Sequence, residues 1–170
     1  MTPLLKSRPL IAVIGQSGCG KSTLLKAVLN ELTNQNEAVA YLPQQPHLFK
    51  ANIRDNVSLF KIFDNDLIKN ILQVVNLEFG LDEVPNGLSR GQLQRLGLAR
   101  VLIQNRSIVL LDEPTASLDL VTRQIITDVI VTLRQQHSLL IATHDSRIIT
   151  LADDLINLDD VAIDYHCAIN

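Results

Sequence analysis

At 170 residues the chain fits one compact domain with at most a short insertion. A formal net charge of -3 argues against a nucleic-acid partner gripped through its phosphates, and 46% hydrophobic content is ample for one core. With 4% aromatics and no Trp, that core must be built from Leu, Ile, Val and Ala. No apolar run approaches the roughly 18–20 residues that span a bilayer. Lys6 and Arg8 interrupt the apolar start, so a secretory signal is not expected. Cys19 and Cys167 form no metal or redox motif and fit a reducing cytoplasm.

Taken in chain order, Leu10–Ile14 is an apolar run bounded by glycine and predicts a buried strand. Residues 21–32 predict a helix, and 38–42 a second strand closed by Pro43. Between 50 and 87 the character changes, and a small, mostly helical insertion is expected. Within it, Asp64 or Asn65 caps a helix whose Leu67, Ile68, Ile71, Leu72 and Val75 follow the helical period. Ser89 begins a further helix running to about Gln104. Residues 108–111 form an apolar strand ending in acids, 119–136 a helix, and 139–142 the next strand. This alternation predicts an α/β fold with a mostly parallel sheet flanked by helices.

The strongest local signal is Gly15, Gln16, Ser17, Gly18, Cys19, Gly20, Lys21, Ser22, a G-x-x-x-x-G-K-[ST] loop between strand and helix. Glycines let the backbone turn tightly and aim successive N–H groups at phosphate oxygens. The following helix adds its positive dipole end at the same point. Lys21 supplies a cation for the outer phosphates, and the Ser22 hydroxyl is a Mg²⁺ ligand. Thr23 belongs to the same nucleotide-binding run. Cys19 reads as a small space-filling residue. The strand 108–111 delivers Asp112 to hold Mg²⁺ through water, and Glu113 to orient or deprotonate an attacking water.

Further segments, in order across residues 15–145, resemble the ABC ATPase family. Tyr41-Leu-Pro-Gln44 looks like its Q-loop, Leu88-Ser89-Arg90-Gly91-Gln92 like its LSGGQ signature, and Asp112-Glu113-Pro114-Thr115 like its extended Walker B strand. Ser117-Leu118-Asp119 resembles the D-loop and Thr143-His144-Asp145 the switch-histidine segment. The resemblance implies that Gln44 ligates Mg²⁺ and senses the γ-phosphate, with Glu113 and His144 as the catalytic pair. It implies that two cassettes, identical or different, pack head to tail around two ATP molecules. Ser89, Gly91 and Gln92 then face the other cassette's nucleotide. It also implies a transmembrane transport partner on another chain, and so a place at the cytoplasmic face of a membrane. The phrasing of residues 43–57 is most similar to exporter-type cassettes, including the thiol-exporter group of cytochrome bd assembly.

Three departures from the family pattern stand out. Arg90 replaces the first signature glycine. Only 14 residues precede Gly15, and Lys21 to Gln44 spans 23 positions, so the family's antiparallel β-subdomain, with its adenine-stacking aromatic, is expected to be largely missing. After the last strand the family's glycine is replaced within Leu158-Asp159-Asp160. A rival reading is therefore a shortened module that binds nucleotide but hydrolyses it poorly. A soluble family member serving nucleic acid is disfavoured by the acidic balance.

Overall fold

The computed structural model describes residues 9–160. The expectations about residues before Pro9, and about Cys167 and the tail, lie outside these described residues. Five strands, β1 (Leu10–Ile14), β2 (Val39–Leu42), β3 (Ile108–Asp112), β4 (Ser138–Ala142) and β5 (Asp154–Asn157), form one sheet in the order β2-β3-β4-β1-β5. Every pairing is parallel, with Leu10 opposite Leu139, Leu42 opposite Leu111, and Asp112 opposite Ala142. The sheet is thus wholly parallel rather than mostly so. Among the described residues there is no antiparallel pair.

Parallel strands need crossovers, and helices supply them. They are α1 (Lys21–Asn34), α2 (Ile53–Ser58), α3 (Asn65–Val74), α4 (Arg90–Gln104), α5 (Leu120–Arg134) and α6 (Ser146–Leu151). Strand side chains alternate between faces, which sorts the core into two layers. Ile11, Val13, Ile108, Leu110 and Leu140 meet Leu25, Val28 and Leu32 of α1. Leu10, Leu42, Val109, Leu111, Leu139 and Ile141 meet Leu96 and Leu98 of α4 and Ile126 and Ile130 of α5. Because the central strands are buried on both sides, β3 and β4 carry uninterrupted apolar runs.

Side-chain caps set three helix starts, of which the sequence predicts the one at Asp64. Asp64 accepts the N–H groups of Asp66 and Leu67, and Asp119 accepts that of Thr122. Ser89 and Gln92 form a reciprocal capping box, with Ser89 Oγ accepting from Gln92 N and Gln92 Oε1 from Ser89 N. Three elements escape the sequence reading: α2, α6 and β5. Each is at most six residues long, and β5 lies half-exposed at the sheet edge with too few apolar residues to show a period.

The segment after β2 is fastened to α4 at two points. A Cβ on Gly97 would lie 2.5 Å from Leu42 Cδ1 and 2.7 Å from Pro46 Cγ, so only glycine allows this approach. Nearby, the buried Arg100 donates to His47 O at 2.6 Å and to Asn56 O at 2.7 Å, with its guanidinium 4.9 Å from the Phe49 ring. Gln44 lies between Leu42 and Pro46, the two residues packed on Gly97.

Candidate functional site

All five strands run the same way, so the residues that follow them collect at one edge of the sheet. This is where open parallel sheets bind ligands. Gly15 follows β1, Gln44 follows β2, Glu113 follows β3 and His144 follows β4. A cavity of about 380 Å³ opens there, lined by Ser17, Gly18, Gly20, Lys21, Ser22, Thr23, Gln44, Glu113, Ala116 and His144. Of the other residues expected at the nucleotide, Asp112 joins this group through Ser22, while Gly15, Gln16 and Cys19 form the loop's outer arm. Ser89, Gly91 and Gln92 do not line it.

The glycine loop is built as its motif requires. Gly18 and Gly20 adopt φ of +84° and +103°, which L side chains rarely adopt, and a Cβ on either would point into open space. Gly20 is the N-cap of α1, whose first turn carries no acid, so its positive end faces the cavity uncompensated. Lys21 is only 6% exposed. Its Nζ donates to Gly15 O at 2.8 Å and Gln16 O at 3.1 Å, contacts His144 Nε2 at 2.8 Å, and lies 3.7 Å from Glu113 Oε1.

Ser22 Oγ donates to Asp112 Oδ1 at 2.9 Å, and Tyr41 donates its hydroxyl to Asp112 Oδ2 at 3.3 Å. Burial, reinforced by the Asp112 charge and this bond, pushes the Tyr41 pKa up to about 12. Tyr41 leads to the acidic end of the site as its strand position predicts, but its bond to Asp112 was not legible in the sequence. The paired oxygens of Ser22 and Asp112, with Gln44 lining the same cavity, are hard donors that suit Mg²⁺, which keeps waters and binds phosphate oxygens. No group of three or more His, Cys, Asp or Glu among the described residues could hold a metal.

Glu113 stands at the end of β3 in a left-handed conformation, φ +48°, held by its N–H donating to Ala142 O at 2.8 Å. Burial pushes its pKa up, and Asp112 adds to this, while His144 and Lys21 oppose it. His144 Nε2 lies 3.2 Å from Glu113 Oε1. A second cavity of about 270 Å³ shares Glu113, Ala116 and His144 and adds Thr115, Ser117, Arg123 and Asp145. Sequence reasoning singled out Ser117 and Asp145 but missed Arg123, which carries no motif.

The signature segment sits on the start of α4. Ser89 Oγ accepts the capping bond, which leaves its hydroxyl hydrogen available to donate elsewhere. Arg90 is exposed in the helix's first turn, so its side chain in place of glycine meets solvent. At Gly91 a Cβ would approach Thr122 Oγ1 to 3.1 Å, which gives that glycine a packing reason of its own.

Comparison with known proteins places this geometry. The chain is 32% identical to the glutathione/L-cysteine transport system ATP-binding/permease protein CydC of Escherichia coli (strain K12), over 88% of this chain but 31% of that one. It is 38% identical to the aliphatic sulfonates import ATP-binding protein SsuB of Zymomonas mobilis, covering 88% of this chain and 70% of that one. The dimeric post-hydrolysis structure of the ATP-binding cassette MJ0796, bound to ADP and Pi, superposes with a TM-score of 0.76 at 25% identity, covering 90% of this chain and 82% of that one. A bacterial Atm1-family ABC exporter with ATP bound shares the fold, with a TM-score of 0.76 at 23% identity over 88% of this chain and 32% of that one. The chain thus spans about a third of the CydC relative and much of the SsuB one. The ABC transporter family model matches residues 4–116, and the chain belongs to that family as an ATP-binding cassette.

Proposed function

We propose that this chain binds MgATP in the 380 Å³ cavity and hydrolyses it as one half of a cassette dimer that powers transport through a separate transmembrane partner. The observation that carries the reading is the convergence of Lys21, the Ser22–Asp112 pair, Glu113 and His144 at one edge of a parallel sheet. In this reading the loop amides of residues 16–23 and the α1 N-terminus hold the phosphates, and Lys21 moves onto the outer ones. Ser22, Asp112 and Gln44 would hold Mg²⁺, which supplies charge neutralisation across the phosphates. Glu113 accepts a proton from the attacking water, and its raised pKa suits that task. His144 Nε2, released when Lys21 turns to the phosphates, donates its one N–H toward the γ-phosphate beside Glu113.

The partner cassette, a second copy or a different chain, presents Ser89 and the Gly91 N–H to the same phosphate. The whole chain 1–170 is one domain, with 50–87 as a helical insertion. No helix among the described residues is long and apolar enough to cross a membrane. In this reading membrane attachment at the cytoplasmic face comes through the transmembrane partner, and the acidic balance disfavours nucleic acid. Steady-state phosphate release at saturating MgATP tests the reading. Turnover that depends on Glu113 supports it, while binding without turnover supports the shortened nucleotide-binding module instead.

A further inference from the structure

Asp159, just beyond β5, accepts the backbone N–H of Gln16 with both carboxylate oxygens, each at 3.1 Å. The bond joins positions 143 residues apart, the second residue of the glycine loop and the far end of the described chain. The same turn closes over Gly15. A Cβ there would lie 2.7 Å from Cys19 Sγ, 3.3 Å from Asp159 Oδ1 and 3.4 Å from Leu158 Cβ. Asp159 is itself steadied, because its N–H donates to Asn157 Oδ1 at 3.2 Å and Asn157 pairs with Ile14 across the sheet. The loop's entrance is therefore tied to the sheet from the β5 side. On the other side the Lys21 ammonium grips it through the Gly15 and Gln16 carbonyls, and the Cys19 N–H donates to Gln16 O at 3.2 Å.

A carboxylate beside a loop that gathers phosphates opposes anion binding by Coulomb repulsion, although its exposure screens the effect. Its position is explained by what it holds. When Lys21 turns to the outer phosphates, it releases the Gly15 and Gln16 carbonyls; the Cys19 N–H then holds Gln16 only within the loop, and the Asp159 bond ties it to the far end of the described chain. We propose that Asp159 is a positioning residue that holds the entrance of the phosphate loop in its binding shape while Lys21 changes partners. This rests on the nucleotide-site reading above. Asp159 touches no reacting atom.

The test uses the full chain with Asp159→Asn, which keeps an oxygen acceptor without the charge, and Asp159→Ala, which keeps neither. MgATP affinity is measured by calorimetry, and backbone amide exchange over residues 15–20 is measured without nucleotide. The expected result is that Asp159→Asn binds as tightly as the wild type or up to about threefold tighter. Asp159→Ala should bind about five- to tenfold more weakly than Asp159→Asn, the size of one charge-independent hydrogen bond. Faster exchange in Asp159→Ala should be confined to the loop. Equal affinities and unchanged loop exchange in the two variants would overturn the proposal, as would equal weakening of both. Exchange is read without nucleotide, so failure of the wild type to bind MgATP would sink the nucleotide reading while leaving the anchor to be decided by the exchange data.

Discussion

Lys21 Nζ and His144 Nε2 lie 2.8 Å apart although 123 residues separate them in the chain, and Glu113 Oε1 lies within 3.7 Å of the first and 3.2 Å of the second. A cation, an imidazole and a carboxylate thus share one corner, with Lys21 and Glu113 buried and His144 facing the opening. Any phosphate entering it competes for the same lysine, so occupancy of the cavity and the state of the Glu113–His144 pair are linked through Lys21.

Lys21→Ala removes the cation at the centre of that exchange. MgATP affinity should fall by about 10² or more, the loss expected when a charge-assisted contact to phosphate goes and its partners stay buried. Calorimetric titration of the purified chain checks this. Near-normal affinity would contradict the assignment of the cavity.

Glu113→Gln keeps the shape of the site and removes the base. Hydrolysis should slow by about 10² or more while nucleotide binding persists, the usual loss for a positioned general base. An ATP-bound dimer should then accumulate and show by size exclusion with light scattering. Undiminished phosphate release would place the catalytic carboxylate elsewhere.

Ser89→Arg should stop turnover yet leave ATP binding by the single chain within about twofold, because Ser89 does not line its own chain's cavity. The substitution also removes the helix cap, at a cost of about 1 kcal/mol. Ser89→Asn, which can still cap, separates the two effects, since it should restore stability but not turnover. Mixed with Lys21→Ala protein, Ser89→Arg should give at most one working site per dimer. Weaker ATP binding by the isolated Ser89→Arg chain would exclude the head-to-tail arrangement.

Asp145, the N-cap of α6, carries a pH-dependent share of stability. Burial pushes its pKa up, but the Arg147 side chain and N–H and the Thr115 hydroxyl more than offset this, leaving it below the ordinary 3.8. Arg147 Nη2 sits 3.1 Å from its Oδ2. A carboxylate with a depressed folded pKa stabilises fully above its unfolded value and loses that contribution as pH falls through its folded value. Asp145→Asn should therefore lower the melting temperature by about 2–4 °C at pH 7. The gap should begin to narrow below about pH 4, the unfolded value, and go on narrowing as pH falls through the lower folded value. Urea midpoints at pH 3–7 measure it, and a gap that stays constant would remove Asp145 from the account.

Much of this was legible in residue order, because the relevant physics is local. A glycine loop between a strand and a helix, a hydrophobic run ending in Asp112 and Glu113, and caps at Asp64, Ser89 and Asp119 each satisfy backbone groups within a few residues. Sequence alone therefore placed the glycine loop, the acid pair at the end of its strand and the main helices, and the motif order pointed to the family. Short elements without a full period, α2, α6 and β5, were silent. The strand order β2-β3-β4-β1-β5 was decided only by tertiary packing, since local pattern does not say which strands become neighbours. With it came the bond from Tyr41 to Asp112, the meeting of Lys21 with His144, and the reach of Asp159 to Gln16. These contacts span 71 to 143 residues, and the chain brings them together only because every strand of the sheet ends at the same edge.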